Sequence, residues 1–154
     1  MKKVLVIAAL LGLTYACSNN GSEKKENAAS DQSANTAPAA SPAEGVGKFT
    51  HVDLGSNLDK KLADGGKTVY EMKCEACHKL SAEKLVGPGW KDVTQRRKPE
   101  WIMNFVTNTE EMLNKDTSAQ AMLEICMVKM PNQNLSDEDA RKVLEFMRGN
   151  DGVK

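Results

Sequence analysis

Residues 62–154 predict an all-α domain. Three observations carry this. Apolar residues recur at spacings of three and four, no period-two alternation is long enough for a sheet, and one Cys-x-x-Cys-His run, Cys74-Glu75-Ala76-Cys77-His78, is an attachment sequence for c-type haem. A domain of about ninety residues is small for its own core, and a buried porphyrin adds apolar contact area that side chains alone would lack. The expected architecture is four or so helices wrapped around one covalent haem.

The segments before it have other jobs. Met1-Lys2-Lys3 is basic, residues 4–13 form an apolar run of secretory length, and Ala16 precedes Cys17, so residues 1–16 read as a signal peptide. The run is too short to span a bilayer comfortably. Ala16-Cys17 resembles the lipobox of bacterial lipoproteins, which implies a lipid on Cys17 and a domain anchored to a membrane on the periplasmic side or at the cell surface. Residues 17–61 are expected to be the lipidated amino terminus and a flexible linker. Residues 18–47 hold Ser, Asn, Ala, Pro, Glu and Lys with no aromatic, too little apolar surface to offset the entropy of ordering. Such a coil has a mean span of about 30 Å. Residues 49–61 are ambiguous: Phe49, Val52, Leu54 and Leu58 could dock as an arm, whereas Gly55 and Asn57 suggest turns.

Four helices can be placed. The first covers about 63–74, with Gly66, Tyr70 and Cys74 on one face. The second starts at Pro99, favourable at a first helical position, and carries Trp101, Ile102, Phe105 and Val106 to about Asn108. The third covers about 118–129, apolar at Met122, Leu123, Ile125, Cys126 and Val128. The last has Ser136 as cap, Asp139 three residues on, Asp137 and Glu138 at its positive start, and Gly149 as its expected end.

In the haem motif, two thiols add to the vinyl groups on one porphyrin edge, and the two-residue gap lets one turn of chain reach both. His78 then lies where an imidazole nitrogen can take the proximal position. A thioredoxin-like reading needs a βαβ pattern that is absent. A zinc site needs further ligands, and only His51, Cys17 and Cys126 remain.

Cys74-x-x-Cys77-His78, then Gly87-Pro88, then Met130-Pro131 ahead of an amphipathic helix resemble a class I monohaem cytochrome c of the bacterial type over about residues 62–149. The resemblance implies a close crossing of first and last helices, with Gly66 and Tyr70 against Val143 and Phe146. It also implies that the Pro88 carbonyl accepts the proton of the His78 ring. Met130 is the expected distal ligand, since Pro131 disfavours an α conformation at the preceding residue and frees the thioether. Met127 is its rival, while Met103, Met122 and Met147 are expected in the core. His51 is expected to be solvated and Cys126 to be a small buried hydrophobe. Trp90, Trp101, Arg96 and Arg97 are candidates for propionate contacts.

The implied function is one-electron transfer between membrane or periplasmic redox partners, with no enzymatic activity, by a monomer. A haem-bearing subunit of an oxidase or reductase complex is the alternative, as is a sensor or haem enzyme if the distal ligand dissociates. The stretch from Gly87-Pro88-Gly89-Trp90 to Met130-Pro131-Asn132-Gln133-Asn134 is weakly similar to small cytochromes accompanying nitrous oxide reductase, which names one acceptor. The chain has 21 basic and 21 acidic residues, but residues 62–98 hold eight Lys/Arg against five acids and residues 99–139 two against eight. Such a dipole steers encounters with charged partners, and lysines Lys73, Lys79, Lys84 and Lys91 cluster around the attachment motif. The basic balance is far too small for nucleic acid.

Overall fold

The computed structural model describes residues 43–154; the expected signal peptide, Cys17 and most of the expected linker lie outside the described residues. Six helices follow one another: α1 (Lys60–Lys73), α2 (Val93–Arg96), α3 (Pro99–Thr107), α4 (Thr109–Lys115), α5 (Thr117–Cys126) and α6 (Asp137–Asn150). The only ladder pairing among the described residues is a single bridge between His78 and Lys84.

Capping side chains set the helix starts. Asp59 accepts the Leu62 amide at 2.9 Å, so α1 begins at Lys60, ahead of the position expected from its apolar pattern. Pro99 opens α3. Asp116 accepts the Ala119 amide at 2.8 Å and starts α5, and the Ser136 hydroxyl accepts the Asp139 amide at 3.1 Å at the head of α6. Two helices escape the apolar pattern. The four-residue α2 has no cap of its own; the Asp151 carboxylate reaches across from the end of α6 to accept the amides of Asp92 at 2.7 Å and Thr94 at 2.8 Å. The short α4 follows α3 after Asn108 alone.

Helix ends bring two corrections. Gly149 does not end α6, which continues to Asn150; the glycine instead lies against Leu58, and the left-handed glycine beyond the helix is Gly152. Similarly, α5 stops at Cys126, where Met127 turns left-handed at φ +57. The residues after it leave the helical register, so Val128 and Met127 do not continue an apolar face.

The α1 and α6 crossing is the principal packing contact. A Cβ at Gly66 would overlap the Lys142 carbonyl oxygen and the Phe146 Cβ, so the backbones touch where the side chain is missing. Tyr70, one turn on, packs its ring 5.4 Å from that of Phe146. Val143 and Leu144 are completely buried beside them.

Residues 46–59, counted with the linker on sequence, lie along the helices, and their backbone is held by helix side chains. Asn104, fully buried, accepts the Phe49 amide at 2.9 Å and donates to the carbonyl oxygens of Glu44 and Phe49. Glu100 accepts the Val52 amide, and Val46, Phe49, Val52 and Leu54 pack on the core. At the end of this arm Glu145, fully buried, accepts the Asp59 amide at 2.9 Å and the guanidiniums of Arg141 and Arg148; Arg148 also donates to the Gly55 carbonyl oxygen.

Burial pushes the Glu145 carboxyl up, but the Asp59 amide and the two guanidiniums outweigh it and hold the group below its ordinary range. Replacing Glu145 with alanine leaves the buried Arg148 charge without its carboxylate and the Asp59 amide without its acceptor, and should cost about 3–5 kcal/mol in guanidinium chloride unfolding. Because the folded-state pKa is lowered, the contribution is complete above the ordinary value of 4.5 and fades as pH falls through the lowered one. The gap between wild type and Glu145→Gln should therefore narrow in acid; an unchanged gap would refute the assignment.

Candidate functional site

The attachment motif is one turn of chain at the end of α1. The Cys74 carbonyl oxygen accepts the amides of both Cys77, at 3.0 Å, and His78, at 2.9 Å, which folds the two intervening residues outward and stacks His78 under the turn. Cys74 is buried, and burial pushes its thiol up to about 11. Cys77 is half-buried and borders an apolar hollow.

Three contacts fix the imidazole of His78, from Pro88, Gly87 and Trp90, and a fourth, from Tyr70, holds its backbone. Its Nδ1 lies 2.9 Å from the Pro88 carbonyl oxygen, and because a carbonyl only accepts, Nδ1 carries the hydrogen and Nε2 the lone pair. Gly87 faces the ring so closely that a Cβ there would overlap it. The Tyr70 hydroxyl donates to the His78 carbonyl oxygen at 2.7 Å, and the Trp90 ring lies 5.6 Å from the imidazole. Burial pushes the imidazole pKa down while the Pro88 carbonyl works the other way, with the first effect prevailing. A neutral ring with one nitrogen held and the other available is what a metal-bound histidine requires.

Two hollows adjoin this ring. Both are lined by His78, Pro88, Phe105, Met122 and Met130. The first adds Cys77, Gly87, Cys126 and the end of α5; the second adds Trp90, Arg96, Arg97 and Trp101. Four of the five cofactor-binding residues expected from sequence, Cys77, His78, Pro88 and Met130, therefore meet around one space, with Cys74 at its back in the core.

A flat, largely apolar macrocycle with anionic substituents suits this lining. The lining is largely aliphatic and aromatic, the Cys77 thiol borders the first hollow, and Arg96 and Arg97 border the second. Among the described residues no group of three or more His, Cys, Asp or Glu side chains is placed to hold a metal ion, so the cysteine pair lacks the further ligands of a zinc site.

Several expectations change here. Met127 is 84% exposed and lines neither hollow, hence it is neither core nor facing the site. Met103 and Met147 are core, whereas Met122 is half-buried and borders both hollows. The Trp101 indole N–H is engaged by Asp116 at 3.2 Å, which removes it as a propionate donor; the Arg97 guanidinium lies 4.6 Å above the same indole. Arg96 donates to the carbonyl oxygens of Gly89 and Lys91. Cys126 is half-buried on the wall of the first hollow, and His51 is exposed beside Asp53. Phe105 and Met122 were legible only as apolar helix positions, since lining a cofactor and filling a core leave the same pattern, and Leu113 lies in α4, outside the helices expected from sequence.

Because the Gly87 contact leaves no room for a methyl group, Gly87→Ala should displace the imidazole and lower the yield of haem-loaded protein in haem-stained gels. Gly55→Ala, where a Cβ meets only ordinary contacts, should load normally. Equal loading would show that the close approach at Gly87 is not needed.

Residues 63–151 match the family model for cytochrome c. Among solved structures, the chain is 34% identical to cytochrome c from Rhodothermus marinus, covering 71% of this chain and 93% of that one with a TM-score of 0.68. It is 33% identical to an engineered form of the same protein, covering 71% and 94% with a TM-score of 0.67, and that engineered form is also known bound to a carbene intermediate. Comparison with curated proteins finds no match. The family match, the structural likeness and Cys74, Cys77 and His78 in their attachment geometry agree: this chain belongs to the cytochrome c family, all-helical proteins that carry a covalent c-type haem and transfer electrons with it.

Proposed function

We propose that this chain is a one-electron carrier that shuttles electrons between membrane or periplasmic redox proteins, with His78 and Met130 as the iron ligands. When bound, the haem supplies a single-electron iron couple. The chain's own residues do the rest. Pro88 holds the His78 Nδ1 proton and so presents Nε2 to the metal. Phe105, Leu113, Met122 and Leu123 keep the surroundings apolar. The observation that carries the reading is that Met130 borders both hollows with His78, whereas Met127 stands in solvent. A methionine that held the metal from that place would close it to substrate, which favours a carrier over an enzyme or sensor.

Two finer elements of the proposal rest on sequence. Nitrous oxide reductase is the acceptor suggested by the weak similarity around Gly87-Pro88 and Met130-Pro131. A lipid on Cys17 would hold this domain, as a monomer, to the outer side of a bacterial membrane, and the apolar run followed by Ala16-Cys17 supports it. Dual acylation anchors stably where a single chain does not.

Oxidised protein should show the weak near-infrared band of methionine-to-iron ligation, lost in Met130→Ala and kept in Met127→Ala. A band lost only in the second variant would reverse the assignment, and a five-coordinate, high-spin spectrum of the wild type would favour the sensor or enzyme reading. For the anchor, wild-type protein should incorporate labelled fatty acid and fractionate with membranes, while Cys17→Ser should do neither. Equal solubility of both after export would remove the lipoprotein reading.

A further inference from the structure

Residues 119–131 supply one wall of the first hollow, yet this wall has little packing of its own. Of the ten residues of α5 only Ala119 is buried, while Met122, Leu123 and Cys126 border the hollow. Among the helices, α5 packs on α4. Met130 follows four residues after the end of α5, so the direction in which that helix leaves the core decides where the thioether arrives. A helix of ten residues is about 15 Å long, and a tilt of about 10° at its start moves its far end by about 2.5 Å. A ligand has to be held within about 0.5 Å. Whatever fixes the foot of α5 therefore governs the distal side.

That foot is Asp116, a corner that closes α4 and opens α5. Its amide donates to the Met112 carbonyl oxygen at 2.8 Å, and its own carbonyl oxygen accepts the Gln120 amide at 3.0 Å. The residue is 1% exposed, and Met112, on the α4 side, is fully buried. One side-chain oxygen, Oδ1, accepts two buried hydrogen bonds: from the Ala119 amide at 2.8 Å and from the Trp101 indole N–H at 3.2 Å. The first is a helix cap. The second adds nothing to a cap, but it ties the corner to α3. Trp101 is itself held, stacked on Phe105 with ring centroids 5.0 Å apart and with the Arg97 guanidinium 4.6 Å from its ring centre. It also lines the second hollow. A fixed wall of the haem space and the foot of the segment bearing Met130 thus meet on one oxygen atom.

We propose that Asp116 is a positioning residue for the distal ligand: by accepting the Trp101 indole and the Ala119 amide together, it aims α5 so that Met130 stays at the metal and outside ligands are kept off. The inference rests on the reading of Met130 as ligand and deepens it. The two hydrogen bonds have separate duties. The Ala119 bond makes a helix begin at this point, and the Trp101 bond sets where it points. Asparagine can make both, because its side-chain carbonyl oxygen also accepts, whereas alanine makes neither. Trp101→Phe removes the second bond alone and leaves the cap in place.

The test is an optical titration of oxidised, haem-loaded protein with imidazole. Imidazole competes with Met130, so its dissociation constant reads how firmly the methionine is held rather than how stable the domain is. Trp101→Phe and Asp116→Ala should each bind imidazole about tenfold more tightly than wild type, the size expected for one buried hydrogen bond, and Asp116→Asn should stay within about twofold. Asp59→Ala is the control: it removes the cap of α1 and should lower the guanidinium chloride midpoint while leaving imidazole affinity unchanged. Unchanged affinity in Trp101→Phe would overturn the proposal, and that variant decides the question even where Asp116→Ala does not fold. So would Asp116→Asn binding as tightly as Trp101→Phe, or a shift of the same size in Asp59→Ala, which would make lost stability the cause. Met130→Ala keeps the two readings apart. It should bind imidazole more tightly than all of these; if it matches wild type, the ligand assignment falls and the inference with it, whereas tight binding there beside an unchanged Trp101→Phe sinks the corner alone.

Discussion

Gly66 has no side chain, and the Lys142 carbonyl oxygen occupies the place where one would begin. That single absence sets how closely α1 and α6 approach, and the rest of the site is suspended from their contact. Tyr70, one turn further along α1, is fixed between Phe146 and Trp90 at ring separations of 5.4 and 4.9 Å. Its hydroxyl then reaches the His78 carbonyl, while the helix itself ends at Cys74, whose carbonyl turns the chain back over Cys77 and His78. A side chain at Gly66 would separate the helices, and each of these hydrogen bonds would be stretched in turn. Helix crossing and imidazole position are thus one mechanical unit, which is why a contact remote from the metal site governs its geometry.

The parts of the site legible in the sequence are those in which chemistry demands a fixed residue at a fixed spacing. Cys74, Cys77 and His78 fit the attachment motif of a rigid macrocycle, and Gly87 and Pro88 lie against the imidazole, so neither group can drift. Other parts depend on partners distant in the chain. The indole of Trp101 pairs with Asp116, and the cap of α2 comes from Asp151, far beyond the helix it starts. No local pattern carries either. The short α4 offers only Met112 and Leu113 as buried apolar residues over two turns, too little for a period to emerge. Met127 misled for a related reason: it stands at helical spacing from Leu123, yet the helix has already ended.

The arm shows the same division. Its own composition suggests turns and weak docking, because four apolar residues are spread over thirteen. What holds it are polar side chains of the helices, Asn104, Glu100 and Glu145, each presenting hydrogen-bond partners to arm backbone groups. Buried backbone must be paired somewhere, and here the partners lie in residues that on sequence would be assigned to solvated faces of α3 and α6. A buried Asn or Glu on an otherwise apolar helix face was the available signal, and it has force only once the face is known to be covered.

The choice of partner for His78 also bears on redox behaviour. A carboxylate on Nδ1 would draw the ring toward imidazolate, increase its donation to the metal and favour the oxidised state. Pro88 offers a neutral carbonyl instead, and among the described residues no carboxylate is hydrogen-bonded to the ring. Burial further disfavours charge on the ring, as the lowered pKa records. The apolar walls around both hollows act in the same sense, because a ferric haem carries more positive charge than a ferrous one and is poorly solvated there. Thioether donation from Met130, in the proposed ligand pair, raises the potential relative to a second histidine. The neutral carbonyl on Nδ1, the apolar surroundings and, in the proposed ligand pair, the thioether push in one direction, toward a carrier that holds its electron until an acceptor of higher potential is in contact.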